Sequence, residues 1–306
     1  MFKRMDTPTT IKLSVGICAL NEEANIGRLL HALGTQRREG FILEEIIINS
    51  DGSTDGTAQQ ARNSAVVGVE VWERNERKGK SYRQREIFQN FRGDVLLMLD
   101  ADILPADEFF LERLLAPILS GQEVGLVSCP LRALSPQTMV ERLVNVSVTA
   151  KERLLQQNNA GDNIFACHGP VRLFSRQLIA AYGSEDVVSE DAYSYLLCKK
   201  IGLPFVYVTT TFVWFRSPQT LADYRKQGVR FRLGQKELGE LFGVAFVEEM
   251  HRVPLKLVLT VGLQTLFRHP FYAIGFACLL ASVQVVHLFQ KDQPLTWSMA
   301  ASSKKL

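Results

Sequence analysis

Apolar and polar positions alternate in blocks along the first half of the chain. Apolar runs at Leu13–Leu20, Glu45–Asn49, Val67–Glu73 and Val95–Leu99 have the length of strands. Between them, Ala24–Thr35, Thr54–Ser64 and Ser81–Phe91 carry helical patterns. Strands divided by helices at this rhythm predict βαβ units and a parallel sheet buried on both faces. Ligands of such sheets bind beyond the carboxyl ends of the strands. Asn21, Asp51 and Asp100 all fall at such ends, so three polar groups converge on one rim.

The second half is mixed. Val124–Cys129, Pro204–Thr209 and Thr211–Phe215 read as strands, and Gln137–Gln157, Glu190–Lys200 and Leu221–Phe242 as helices. Beyond them, Pro254–Phe267 is a short apolar stretch in which Lys256, Thr260, Gln264 and Arg268 recur every four residues. That spacing draws a narrow polar stripe along one face and predicts an interfacial helix. Phe271–Phe289 is apolar apart from Ser282, Gln284 and His287. Its length lies near the lower bound of roughly 17–25 residues for a spanning helix. It can span a membrane or lie in the interface; a pair of buried helices in a soluble domain is the alternative. The expected division is a catalytic domain over 1–243 and C-terminal apolar helices with a tail over 244–306.

Composition adds constraints. A hydrophobic share of 46% and a charged share of 22% are those of a globular chain. The net charge of +3 is too small to imply nucleic acid. Its distribution is uneven, with 11 Lys/Arg against 6 Asp/Glu from Thr220 onward. A basic region beside apolar segments fits an anionic membrane surface. The five cysteines, Cys18, Cys129, Cys167, Cys198 and Cys278, are scattered without zinc-ligand spacing. They are expected to be buried thiols in a reducing compartment. Met1–Lys12 has no apolar core, so no cleaved signal peptide is expected there.

The chemistry is concentrated in acidic segments in a fixed order. Asn21-Glu22-Glu23 follows the first strand, where its acidic groups can cap the next helix or bind ribose hydroxyls. In Asp51-Gly-Ser-Thr-Asp55-Gly, Gly52 permits a tight turn and Ser53 or Thr54 can cap the following helix. Asp51 is left at the strand tip, able to accept a hydrogen bond from a base N–H. Lys78-Gly79-Lys80 precedes a helix and can meet a diphosphate, although no P-loop pattern is present.

Asp100-Ala101-Asp102 places two carboxylates just past a buried strand, where they repel unless a cation is held. Mg²⁺ commonly binds one or two carboxylates together with substrate phosphates. Asp102 is the first choice of ligand, and Asp100 either joins it or binds ribose. Ser189-Glu190-Asp191 opens a helix, which is an ordinary start signal and also a place for a general base at Asp191. On the late basic helix, Gln227 and Arg230 share a face, with Phe231 beside them. His168 and Trp214 are weaker candidates for substrate contact.

Together these segments resemble the family 2 glycosyltransferases with the GT-A fold, over roughly Leu13–Gly243. The resemblance implies a Rossmann-like α/β domain with a mixed, mainly parallel sheet flanked by helices, followed here by C-terminal membrane-associated helices. It implies that Ala19–Glu23 and Asp51 bind the nucleotide, and that Asp100 and Asp102 form the D-x-D motif for the nucleotide sugar and its Mg²⁺ or Mn²⁺. The pair Glu190-Asp191 is implied to supply the base of an inverting displacement. Gln227-x-x-Arg230-Phe231 resembles the Q-x-x-R-W motif of polysaccharide synthases, with Phe231 in place of tryptophan. Ser50 stands where many relatives carry a second aspartate.

The expected activity is transfer from a nucleoside diphosphate sugar, UDP-linked in preference to GDP-linked, to a lipid-linked or glycan acceptor. The expected place is the cytoplasmic face of the cell membrane. A non-catalytic sugar-nucleotide-binding partner of a synthase complex, or a nucleotidyltransferase, remains the alternative.

Overall fold

The computed structural model describes residues 10–289, the side chains of 229–233 and 282–289 apart. Strand β1 (Ile11–Ala19) has parallel strands on both edges and is fully buried from Leu13 to Ile17. Helix α1 (Glu23–Gly34) leads to β2 (Phe41–Asp51), α2 (Thr57–Arg62) to β3 (Val69–Arg74), and α3 (Lys80–Asn90) to β4 (Val95–Asp100). This is the predicted βαβ series. Register pairs Cys18 with Asp100 on one side of β1 and Ala19 with Ser50 on the other. Asp51 and Asp100 therefore leave the sheet at nearly the same height, on either side of the β1 exit.

After β4 the chain crosses to a second sheet. Strand β5 (Ile103–Pro105) and helix α4 (Phe110–Leu119) come first, then β6 (Leu126–Ser128), β7 (Leu131–Ala133) and the long helix α5 (Met139–Gln157). Next are β8 (Val171–Ser175), α6 (Arg176–Ala180), α7 (Glu190–Lys200), β9 (Phe205–Tyr207) and β10 (Val213–Phe215). The main sheet has the order β3-β2-β1-β4-β8-β6-β9, and a small sheet has the order β5-β10-β7. Strand β8 runs antiparallel to both β4 and β6, so the main sheet is mixed. Asp100-Ala101-Asp102 lies where the chain passes from one sheet to the other.

Two apolar layers hold the helices. One face buries Leu13, Val15 and Ile17 against Leu29 and Leu30 of α1 and Phe110 and Leu114 of α4. The other buries Leu96, Met98 and Phe174 against Ile87 of α3 and Leu196 of α7. Each such side chain contributes about 1.5–3 kcal/mol on burial. Gly16 lets α3 lie close, because a Cβ there would stand 2.7 Å from Met98 Sδ and 2.8 Å from an Ile87 methyl.

The late helices are α8 (Leu221–Phe242), α9 (Val244–Met250), α10 (Leu255–Arg268) and α11 (Pro270–Phe289). Both α10 and α11 pack on α5, with Gly275 against Leu143, and α11 meets α8 through Tyr224 and Phe276. Among the described residues, no helix is long and apolar enough to cross a membrane; of Phe271–Phe289, the side chains from 282 onward lie outside the described set. The cysteines are free thiols; Cys129, Cys167 and Cys198 are buried as expected, but Cys18 is half-buried and Cys278 is exposed. Strand β8 and helix α4 were not expected from the sequence.

Candidate active site

Asn21 follows β1 in the left-handed region, at φ 54°, a conformation that asparagine tolerates better than most residues. Its backbone N–H donates to Ser53 Oγ at 3.1 Å, and its side-chain oxygen accepts from Thr54 N at 2.9 Å. Glu22 N donates to Thr57 Oγ1 at 2.8 Å, and Glu23 Oε2 accepts from Gly56 N at 3.0 Å. All three residues thus stitch the β1–α1 loop to the β2–α2 loop. Neither expected helix cap forms: Glu22 makes no capping bond to α1, and α2 starts after Gly56 rather than on Ser53 or Thr54.

Asp51 is almost fully buried, and its carboxylate is already engaged. Oδ1 accepts from Lys78 N and Arg83 Nε, both at 2.7 Å, and Oδ2 from Gly79 N at 2.8 Å. A carboxylate has about four acceptor positions, so Oδ2 retains one. Asp51 therefore anchors the Lys78–Gly79 turn ahead of α3, where the sequence suggested only a free acceptor. Gly52, at φ 68°, makes the turn that leaves it there.

Of the two lysines expected at a diphosphate, Lys80 is drawn inward. Its Nζ donates to Asp100 Oδ1 at 2.6 Å. Burial lowers the lysine pKa, but Asp100 and Glu190 outweigh burial and the net shift is upward. Lys78 is exposed, with its ammonium 4.9 Å from the Tyr82 ring centre.

Asp102 shows the converse. Burial, then the nearby charges of Asp100 and Glu22, push its pKa up to about 7 despite Lys80. A carboxylate crowded by two others is short of positive charge, and that fits a divalent cation. Among the described residues, no group of three or more His, Cys, Asp or Glu side chains is placed to hold a metal. Asp100 and Asp102 could supply two ligands, the remainder coming from substrate phosphates and water.

Glu190 and Asp191 open α7 and diverge. Glu190 is buried and faces the charges of Lys80 and Arg172. Asp191 is partly open to solvent; its Oδ1 accepts from Ala192 N at 2.9 Å, and Oδ2 lies beside Gly169. Next to it, His168 Nε2 lies 3.4 Å from Tyr207 Oη. Burial and Lys151 lower the His168 pKa to about 4, although Asp191 acts to raise it. The imidazole is neutral at neutral pH. Of the two acidic groups, Asp191 is the more open to solvent.

Helix α8 rests on the segment before α7. Glu237 Oε2 accepts from Val188 N at 2.8 Å, and Gly234 leaves no room for a side chain beside Ser189. Gln227 is exposed on that helix, while the side chains of Arg230 and Phe231 lie outside the described set. Two further residues, Arg83 and Arg172, organise the site without being among the expected site residues. A charge at the second position of the strand Val-Arg-Leu-Phe-Ser was the available signal for Arg172.

Residues 14–183, more than half of the chain, match Glycosyl transferase family 2. The chain belongs to that family. It is similar to glucosyl-3-phosphoglycerate synthase of Mycolicibacterium paratuberculosis, 30% identical over 38% of this chain and 36% of that protein. It is also similar to the probable glycosyltransferase YdaM of Bacillus subtilis, 24% identical over 74% of this chain and 55% of that protein. The chain thus spans well under two thirds of the length of these relatives.

Among solved structures, the mannosyltransferase PcManGT of Pyrobaculum calidifontis, in complex with GDP-Man and Mn²⁺, superposes with a TM-score of 0.57 at 19% identity. That superposition covers 92% of this chain and 82% of the other. Glucosyl-3-phosphoglycerate synthase of Mycobacterium tuberculosis, in complex with Mn²⁺, UDP and glucosyl-3-phosphoglycerate, gives 0.55 at 22% identity, over 76% and 81%. These likenesses establish a shared fold. In this family 2 glycosyltransferase, Asp51 and Asp100 end strands on either side of β1.

Proposed function

We propose that this glycosyltransferase is metal-dependent and inverting. It moves a sugar from a UDP-linked donor to a hydroxyl of a membrane-linked or glycan acceptor. The observation that supports the reading is the 2.6 Å ion pair of Lys80 with Asp100, together with the charge of Glu190 acting on the same ammonium. The named relatives and fold neighbours add support, since UDP and Mn²⁺, or GDP-Man and Mn²⁺, accompany two of them.

In this reading Asn21, Glu22, Glu23 and Asp51 shape the nucleotide subsite, mainly by fixing its two loops. Asp102, with Asp100, holds Mg²⁺ or Mn²⁺. The ion supplies Lewis-acid stabilisation of the leaving diphosphate. Asp191 takes the proton of the acceptor hydroxyl, and that oxygen bonds to the anomeric carbon from the face opposite the diphosphate. The bond from that carbon to the diphosphate oxygen breaks, and its electron pair leaves with the nucleotide. Glu190 stays buried beside Lys80. Arg230, Gln227 and Phe231 on α8, with exposed Lys78, are assigned to the diphosphate and sugar.

Residues 1–243 are assigned to catalysis and 244–306 to a membrane surface on the cytoplasmic side. In α10, Leu255, Leu259, Leu263 and Phe267 form an exposed apolar stripe beside the polar stripe of Lys256, Thr260, Gln264 and Arg268. An amphipathic face with basic residues suits an interfacial helix. The test of the activity is release of nucleotide from UDP- and GDP-sugars with Mn²⁺ or with chelator, with the product anomer read by NMR. Release that ignores the metal would overturn the metal assignment, and retention of the donor anomer would overturn inversion.

A further inference from the structure

Among the described residues, Arg172 is the largest wholly buried side chain, at 0% exposure at the second position of β8. Its direct partners are neutral. Nη1 donates to Ser194 Oγ at 2.9 Å, Nη2 donates to Gln84 Oε1 at 2.8 Å, and Nε makes no hydrogen bond. Among the described residues, no carboxylate oxygen lies within 4.0 Å of the guanidinium. A charge held in the interior with neutral contacts alone is costly, and a well-packed apolar side chain often serves stability as well or better. Packing therefore does not account for an arginine at this position.

Its two arms point to what does. Gln84 lies one turn after Lys80 on α3, next to Arg83, which holds Asp51. Ser194 lies one turn after Glu190 on α7, and its hydroxyl donates back to the Glu190 carbonyl. The Tyr182 hydroxyl also meets Ser194. The guanidinium thus ties the helix at the donor's expected diphosphate to the helix that begins with the base. The charges that face it are those of Glu190 and Asp191, while burial keeps the nearby Tyr182 hydroxyl and Cys167 thiol protonated.

We propose that Arg172 is a positioning residue for glycosyl transfer. Its rigid fork sets the separation of α3 and α7, and so the placement of Asp191 against the donor. Its charge holds the start of α7 by attraction to Glu190. The inference rests on the reading of Asp191 as base. A misplacement of about 1 Å in a reacting group can cost about 100-fold in rate.

The test uses the full chain and whichever UDP- or GDP-sugar supports nucleotide release by the wild type with Mn²⁺ and membrane lipid extract. Arg172→Met and Arg172→Lys are compared for kcat, donor KM and melting temperature. The expected result for Arg172→Met is a loss in kcat of roughly 10- to 100-fold with donor KM within about threefold and melting temperature near wild type. Arg172→Lys, which keeps the charge but not the fork, recovers part of the loss. Wild-type kcat in a folded Arg172→Met protein overturns the proposal, as does a loss that only tracks the unfolded fraction.

If Arg172→Met does not fold, Gln84→Leu and Ser194→Ala each remove one arm and leave the arginine in place. Each is expected to lower kcat several-fold without changing donor KM, and unchanged kcat in both overturns the proposal. Normal turnover in Asp191→Asn, by contrast, removes the underlying base assignment whatever Arg172 does. The absence of release from every donor by the wild type removes the activity itself.

Discussion

Lys80 and Asp100 form a 2.6 Å ion pair between the first residue of α3 and the last residue of β4. Both side chains are largely shielded, at 14% and 24% exposure, so the pair is not an ordinary surface contact. It places an ammonium beside the carboxylates that are proposed to receive a divalent ion. Lys80→Met leaves Asp100 and Asp102 facing each other without that cation. The metal-free variant is expected to lose about 1–3 kcal/mol of stability, the cost of a stranded buried polar group. Mn²⁺ binds the folded state and should recover more for the variant than for the wild type. Thermal unfolding in EDTA and in Mn²⁺ measures this. Equal Mn²⁺ shifts in both proteins would show that Lys80 and the metal do not share a site.

Asp102→Ala tests the metal ligand directly. UDP binding, followed by calorimetry with and without Mn²⁺, is expected to lose its metal dependence in the variant. Since Asp102 is crowded by Asp100 and Glu22, the metal-free variant should be at least as stable as wild type near pH 8. Undiminished Mn²⁺-dependent binding would place the ion elsewhere.

His168 gives a pH dependence with a defined sign. Its folded pKa is depressed to about 4, below an unfolded value of about 6.5. Between these values the unfolded chain binds the extra proton, so this histidine's contribution to stability is complete above about pH 6.5. It is lost progressively as pH falls toward 4. His168→Gln should flatten that part of the curve. Denaturant midpoints for both proteins from pH 4 to pH 7.5 provide the comparison, and parallel curves would contradict the assignment.

Much of this site was legible in the sequence, because each acidic segment directly follows or opens a regular element. The runs before Asn21, Asp51 and Asp100 are apolar and bounded by turn residues, so their ends could be placed within a residue or two. Helix α7 was predicted with its observed bounds, Glu190–Lys200. Strand β8 was missed because it is five residues long, follows Gly169-Pro170 and carries a charge at its second position. The roles of Asp51 and Arg172 were hidden for another reason. Their partners come from far along the chain: Arg83 is 32 residues from Asp51, and Gln84 is 88 from Arg172. Helix α4 contains Pro117, which breaks the helical signal there.

The C-terminal surface can be tested without removing α10 and α11, which pack on α5. Phe267 and Phe271 are 84% and 86% exposed, so Phe267→Ser with Phe271→Ser should leave the melting temperature unchanged. The double variant is expected to bind vesicles of anionic phospholipid at least several-fold more weakly, on the area basis of about 25 cal/mol per Å² of apolar surface. Flotation of both proteins with such vesicles measures this. Equal flotation would remove the assignment of this face to a membrane.

Asp191 is proposed to act as the base beside a metal-bound nucleotide sugar. The most direct measurement is nucleotide release from a panel of UDP- and GDP-sugars, with membrane lipid extract as acceptor, by wild type and Asp191→Asn in Mn²⁺ or chelator. Wild type is expected to release UDP only with the metal. Asp191→Asn is expected to fall by about 100- to 10,000-fold while binding the donor as before. Comparable release by the two proteins would contradict the assignment of Asp191, and tight donor binding without release by the wild type would contradict the transferase reading.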